Sequence, residues 1–332
     1  MAKAKKTAPA ASKIESREIT SEAEWFAWRK QDVTASASPA LLGIHNYQTA
    51  YGLYLEKRGE APDIEESPPM KRGRLLEPIA RKLLRENHPE IKWWTPNIYL
   101  RDPVARIGAT PDEFGTTPDG AVLVTQIKSV AEFVFRAQWK GQIEGDRDAI
   151  EPPLWIVVQA VQEAHLYEQW LRSIGDNTPV RAAVAPLVVG FGIECPLIEI
   201  PLDNNAPRVL ANIKKATLDF WKCVGTGVPP EFDYAKDGER IAALYGVTTG
   251  ETIDLSRDNR IFEVHDALIA ARADKKDATA REDAAKNEIL AKMGPAEVAY
   301  LGEGRQLSAK QQSRAEHFVK ASTFRVIRAS KK

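Results

Sequence analysis

The 332-residue sequence predicts an α/β protein of the α+β kind, with a central mixed β-sheet flanked by helices and a helical C-terminal extension. Three observations carry this expectation. Strand-like runs between Trp93 and Ile200 are preceded, interrupted and followed by helical patterns, in the order strand, strand, strand, helix, strand, strand, helix. No glycine-rich loop of the dinucleotide or P-loop kind is present, which argues against a doubly wound nucleotide fold. Beyond Val228-Pro-Pro-Glu231 the chain turns alanine-rich and densely charged over Asp258–Met293, a long exposed helix set antiparallel to another segment and ended by Gly294-Pro295.

Met1–Arg17 carries five basic residues against Glu15 alone and is expected to be a disordered basic tail. SEAEWFAWRK, from Ser21 to Lys30, is a helix with Ser21 as its N-cap and Glu24 three residues on, burying Trp25 and Trp28 together. Thr34 to Gly43 turns into a short helix that stops at the glycine, and Thr49–Arg58 is a helix closed by Gly59. Pro62–Pro69 is an acidic surface loop. Met70–Asn87 follows as a helix with Leu75, Leu76, Ile79, Ala80, Leu83 and Leu84 on one face. Trp93–Arg101 is a strand. Within GATPDEFGTTPDGAVLVTQIKS, Gly108 to Ser129, the runs Arg106–Ala109 and Ala121–Ile127 are strands joined as a hairpin through Gly115–Gly120. Ala131–Gly141 is helical or irregular, with Arg136 and Lys140 adding positive charge. Leu154–Leu171 is a long helix, Val180–Ile200 a pair of strands, Asn205–Val224 an amphipathic helix, and Phe324–Arg328 a last strand. The expected organisation is a tail over 1–17, a main domain over 18–230 and an extension over 231–332.

Composition narrows the function classes. The chain is 43% hydrophobic and 28% charged, as in ordinary globular proteins. Its longest apolar stretch, Val180–Ile200, holds Arg181, Pro186 and Glu194 and is no membrane span, and the N-terminus has no apolar core, so a cytoplasmic location is expected. Cys195 and Cys223 are too few for a disulfide framework or a structural zinc site. His45, His88, His165, His265 and His317 show no metal-ligand spacing. Zero formal net charge argues against coating nucleic acid over the whole surface but permits a local basic groove.

The chemistry concentrates between Asp112 and Lys128. Side chains alternate along a strand, so Gln126 and Lys128 share one face, and Asp112 lies near the end of the preceding strand. An acid, an amide oxygen and an ammonium then converge at one sheet edge. That combination suits a hard divalent cation, which lowers the pKa of a bound water for phosphodiester attack, with the ammonium offsetting charge on the phosphate.

This arrangement resembles the PD-(D/E)XK nuclease core, with Gln126 where an acid is usual. Further short matches come in order: Trp28-Arg29 and Val33–Ser36, Leu41–Gly43, Met70–Pro78, Ala109–Asp112, Gln126–Lys128 and Val157–Gln159. Together they resemble the YqaJ-like recombination exonucleases related to lambda exonuclease, over roughly residues 25 to 225. The resemblance implies a restriction-endonuclease-like fold and a Mg²⁺ site, Mn²⁺ substituting, with Asp112, Gln126 and the Ile127 carbonyl as ligands. It further implies that Glu77 acts through bound water or a second cation, that Lys128 stands beside the attacking water, and that Gln159 is hydrogen-bonded to the site. Arg29 and Ser36 would grip a terminal 5′-phosphate, with Arg74 and Arg136 as further DNA contacts. The implied activity is exonucleolytic degradation of one strand of linear duplex, 5′ to 3′, leaving 3′ overhangs for a single-strand annealing protein. A ring-forming homo-oligomer of phage or prophage origin in a bacterial host is implied as well. Two alternatives keep the same core: a non-catalytic DNA-end-binding protein and an endonuclease.

Overall fold

The computed structural model describes residues 13–62, 66–141, 149–203, 205–313, 318 and 327. The chain divides into two compact units, Met1–Glu239 and Arg240–Lys332. In order, its elements are β1 (Glu15–Glu18), α1 (Glu22–Gln31), β2 (Val33–Thr34), α2 (Ser38–Leu41), α3 (Ala50–Arg58), α4 (Pro68–Asn87), β3 (Lys92–Trp94), β4 (Ile98–Asp102), β5 (Ile107–Ala109), β6 (Glu113–Thr116), β7 (Val122–Ala131), α5 (Glu132–Gln138), α6 (Leu154–Ser173), β8 (Val180–Val189), β9 (Ile193–Glu194), β10 (Ile198–Ile200), α7 (Asn205–Thr226), α8 (Gly238–Tyr245), α9 (Ile261–Met293), β11 (Val298–Gly302) and β12 (Arg305–Ser308).

The first unit is mixed α/β, as expected. Its main sheet runs β10-β8-β7-β6-β3 with β9 also on β8, and a smaller sheet runs β1-β4-β5-β2. The centre is the parallel pair of β7 and β8, in register from Val122↔Val180 to Ala131↔Val189. A parallel pair needs a crossover, supplied by α5 and α6, and its strands are largely buried because both faces are covered. Helix α6 packs on β7 and β8 and also on β4 and β5, while α4 packs on β7 and β8. The alternation along β7 sorts its residues accordingly. Ile127 joins Ala80, Leu84, Ala185 and Leu187 beside α4, whereas Val122 and Val124 join the α6 core with Ile156, Val161 and Ala164.

Local chemistry sets the helix ends. Ser21 Oγ accepts from the Glu24 N–H at 3.3 Å, and Thr49 Oγ1 accepts from the Gly52 N–H at 2.9 Å. Gly43 and Gly59 each take a φ of 71°, the left-handed value that favours glycine. Helix α6 also clasps the smaller sheet, because Gln162 Nε2 donates to the Gly108 carbonyl at 3.1 Å and the Val33 carbonyl at 3.3 Å. Gly108 itself tolerates no side chain there: a Cβ would lie 2.0 Å from Tyr99 Oη.

Several expectations are corrected. The hairpin partner of β7 is β6, with Glu113↔Thr125 to Thr116↔Val122, while β5 pairs instead with β4 and β2 in the other sheet. Arg106 has a φ of 53° and stands outside the strand. The run Trp93–Arg101 is split between the two sheets, with Asn97 at a φ of 45° between the pieces. Glu15–Glu18 is a strand on β4 and Ile14 is buried, so the tail expectation fails for that part, and residues 1–12 lie outside the described ones. Trp25 and Trp28 do not bury together: Trp25 stacks on Phe26 and Trp28 on Tyr99, and α1 has no buried residue. On α4 only Ala80 and Leu84 are buried, while Leu75 and Ile79 are 56% and 41% exposed.

The second unit holds α9, with Met293 its one buried residue, and the β11–β12 hairpin, which periodicity did not reveal. The strand expected at Phe324–Arg328 lies outside the described residues except for Ile327. Among the described residues no helix is long and apolar enough to cross a membrane.

Candidate functional site

Asp112 sits in the link from β5 to β6, one residue before the strand that pairs with β7. That register brings its carboxylate to the middle of β7. Asp112 Oδ2 accepts from the Ile127 N–H at 2.8 Å and also from Gln126 Nε2. The same Gln126 nitrogen donates to the Ile127 carbonyl at 3.0 Å. A carboxylate oxygen and a main-chain carbonyl therefore converge on one electropositive group.

Helix α6 supplies the opposite wall. Gln159 Nε2 donates to Gln126 Oε1 and, at 2.9 Å, to Glu163 Oε1, while Gln159 Oε1 accepts from Lys128 Nζ at 2.9 Å. The polar groups form one directed chain, with Lys128 donating to Gln159, Gln159 to Gln126, and Gln126 to Asp112. Lys128 Nζ also lies 5.5 Å from the centre of the Trp155 ring. Glu163 is 1% exposed, and its Oε2 has no hydrogen-bond partner among the described residues.

Helix α4 supplies the third side. Arg81 pairs with Glu77 through Nη2, and the same nitrogen donates to the Asp112 carbonyl at 3.2 Å. Arg81 Nε lies 3.2 Å from Glu113 Oε2, and Arg85 Nη2 donates to Glu113 Oε1 at 2.6 Å. Thr95 Oγ1 completes the shell at 2.8 Å, so the fully buried Glu113 carboxylate is surrounded by donors.

Burial pushes the Asp112 carboxyl up to about 7, with Glu77 adding to the rise and Lys128 opposing it. Glu163 is pushed up to about 8 by burial and by Asp112, against Gln159 and Lys128. Burial lowers the Lys128 ammonium, opposed by Asp112, Glu163 and Glu77. These groups bind and release protons as a set. Strongly shifted acids beside a shifted lysine are what a site handling charge requires.

Among the described residues, no cluster of three His, Cys, Asp or Glu side chains is placed to hold a metal by itself. The donors present nevertheless suit a hard divalent cation, which takes carboxylate, amide and carbonyl oxygens and keeps several waters. Asp112 Oδ2 and the Ile127 carbonyl already face a common point, held by Gln126 Nε2 while Gln126 Oε1 accepts from Gln159; presenting Oε1 to a cation there requires a half-turn of the Gln126 amide and the loss of that bond.

The structure thus brings together Asp112, Gln126, Ile127, Lys128 and Gln159, with Glu77 tied in through Arg81. It does not join the DNA-contact candidates to this chain of bonds. Arg29 lies half-buried over the Trp25 ring at 4.5 Å, its guanidinium pKa lowered by burial, and no carboxylate lies within ion-pair distance among the described residues. Ser36 Oγ lies 3.1 Å from Thr34 Oγ1. Arg74 is exposed and bonded to Glu66 at 2.8 and 3.0 Å, and Arg136 is exposed and paired with Glu132. Two residues escaped sequence reasoning. Lys57, its side chain 2% exposed, donates to the Arg29 carbonyl at 2.7 Å, and burial lowers it to about 8. Glu163 follows Gln159 by four residues, one helical turn along the same face, and that spacing was the available signal.

Residues 24–162 match the model of the YqaJ-like viral recombinase domain. No functionally curated protein matches the sequence. Among solved structures, an alkaline exonuclease from Laribacter hongkongensis is similar at 17% identity and a TM-score of 0.41, over 67% of this chain and 99% of that one. A putative exonuclease from Eubacterium rectale is similar at 11% identity and a TM-score of 0.44, over 72% and 98%. The shutoff and exonuclease protein of the Kaposi's sarcoma herpesvirus is similar at 11% identity and a TM-score of 0.36, over 64% and 71%. The matched span contains Arg29, Ser36, Glu77, Asp112, the Gln126–Lys128 triplet and Gln159, and it stops one residue short of Glu163. Over residues 24–162 the chain is therefore similar to the YqaJ-like viral recombinase domain, the family that its motifs resemble.

Proposed function

We propose that the protein is a Mg²⁺-dependent exonuclease that degrades one strand of linear double-stranded DNA from the 5′ end and leaves a 3′ overhang. One observation carries the reading: Asp112 Oδ2 and the Ile127 carbonyl face a common point, and Lys128, next on that face of β7, is held by Gln159 at 2.9 Å. Asp112, the Ile127 carbonyl and Gln126 would hold a divalent cation there, which would lower the pKa of a bound water and so furnish the nucleophile for a phosphodiester. Asp112 provides the anionic ligand, with its carboxylate aimed by the Ile127 N–H. Lys128 keeps its ammonium fixed between Gln159 and the Trp155 ring, placed to offset charge that builds on the phosphate during attack. Glu77, tied to Arg81, acts through bound water on the α4 side. Arg29, with no carboxylate within ion-pair distance among the described residues and with Lys57 donating to its carbonyl, is the holder of the terminal 5′-phosphate together with Ser36. Ring closure as a homo-oligomer and delivery of the overhang to a single-strand annealing protein belong to the same reading.

The test is incubation of linear and covalently closed circular duplex with Mg²⁺ and with a chelator. The expected result is loss of linear DNA alone, only with the metal. Cutting of circles identifies an endonuclease. Intact DNA of both forms identifies an end-binding protein, a reading that the Gln126 N–H facing Asp112 favours.

A further inference from the structure

Glu163 is an acid in a place that ordinarily rejects one. It is 1% exposed, on the face of α6 that covers β7, and carboxylates are almost never so fully buried without a cationic partner. Among the described residues only Oε1 is bonded, by an amide rather than by an ion, and Oε2 has no partner. Its contact, Gln159, also bonds both Lys128 and Gln126, so the carboxylate stands one residue removed from the groups that define the site. Asp112 and Lys128 both act on it electrostatically. A buried acid with a free oxygen, beside a site whose strand position holds a neutral amide in place of an acid, signals a charge relocated from one element to another.

We propose that Glu163 is the second acid of the cation site, supplying from α6, through Gln159, the negative charge that Gln126 withholds on β7. It acts as a positioning residue. Its charge favours cation binding, and Gln159 links it to both Gln126 and Lys128. The inference rests on the metal-dependent reading of the site.

The test is Mn²⁺ binding without DNA, followed by the paramagnetic resonance signal of the free ion, on the full chain and on Glu163→Gln, Gln126→Glu and the double variant. Glu163→Gln is expected to weaken Mn²⁺ binding about tenfold or more, since one full charge near a divalent ion is removed. The double variant, with its acid moved to β7, is expected to bind within about twofold of the wild type on the same electrostatic grounds. Without metal, Glu163→Gln is expected to melt no lower than the wild type, because a neutral amide costs less to bury than a carboxylate. Unchanged Mn²⁺ affinity in Glu163→Gln overturns the inference while leaving the metal-dependent reading intact. Weakened affinity that Gln126→Glu does not restore reduces Glu163 to packing and overturns it too. Absence of Mn²⁺ binding by the wild type removes both. Should Glu163→Gln not fold, the comparison moves to Gln126→Glu against the double variant, where the same drop must appear.

Discussion

At the level of single residues, the site under the proposed reading divides into groups that would bind a cation and a group that would act on the phosphate. Lys128 is the second kind. Its replacement by Ala is expected to lower the hydrolysis rate by about a hundredfold or more, as loss of one preorganised donor does, while duplex affinity, spread over many phosphates, changes little. Single-turnover digestion and fluorescence anisotropy on the same DNA check this, and retained turnover would sink the role. Gln126→Glu adds a negative charge, so activity is expected to saturate at a Mg²⁺ concentration lower by about tenfold, with the optimum moved to higher pH because the bound water becomes less acidic. An unchanged half-saturation point would show that Gln126 does not face the metal. Asp112, Gln126 and Lys128 were legible in the sequence because alternation along one strand and a short motif spacing suffice to bring them together. Glu163 was not, since its meaning depends on burial and on an oxygen left without a partner, neither of which a helical glutamate advertises.

At the level of elements, the hairpin shows where sequence reasoning went astray. Glu113–Thr116 looks like turn sequence, with a charge at its start, Gly115 inside it and Thr-Pro-Asp-Gly after it, yet it is the strand that fixes Asp112 against β7. What makes a buried strand of it is Glu113, whose carboxylate is met by Arg81 and Arg85 from α4 and by Thr95. Partners drawn from 18 to 32 positions away leave no local signature. Glu113→Gln is expected to cost about 2 to 3 kcal/mol, less than the roughly 3 to 5 kcal/mol lost when a fully buried ion pair is broken, because Arg85 is half in solvent. Urea denaturation followed by circular dichroism measures this. The loss should come with reduced nuclease activity, because Arg81 also holds Glu77 and the Asp112 carbonyl. A neutral result would mean that α4 and the hairpin are docked by their apolar contacts alone. Helices α1, α2 and α3, by contrast, were legible almost to their ends, since Ser21, Gly43, Thr49 and Gly59 carry the capping signals themselves, whereas α8 was not read from the sequence at all.

At the level of the whole molecule, the buried titratable groups tie stability to pH and to the cation. His45 and His165 are both lowered to about 4 by burial, so the unfolded chain binds their protons more readily. Their contribution is present above the ordinary histidine value of 6.5 and is lost as pH falls towards 4. Asp112 and Glu163 work in the opposite sense. Raised to about 7 and about 8, they favour the folded state while protonated, and that advantage is lost as pH climbs from their ordinary values of 3.8 and 4.5. Between about pH 4.5 and 6.5 the two effects oppose each other, and metal-free stability is expected to be nearly flat. From about pH 6.5 to 8 the histidines no longer titrate and the acids dominate, opposed near the upper end by Lys57, lowered to about 8, and by the lowered Lys128, so stability should fall by up to about 2 kcal/mol in the presence of a chelator. Mg²⁺ or Mn²⁺ is expected to abolish that fall, because a cation at the site favours the ionised carboxylates that burial disfavours. Thermal melts across this range, with chelator and with metal, decide the matter. An alkaline limb that the cation leaves unmoved would mean that Asp112 and Glu163 ionise without a metal to receive them, and the site would have to be read as a polar brace between β7 and α6.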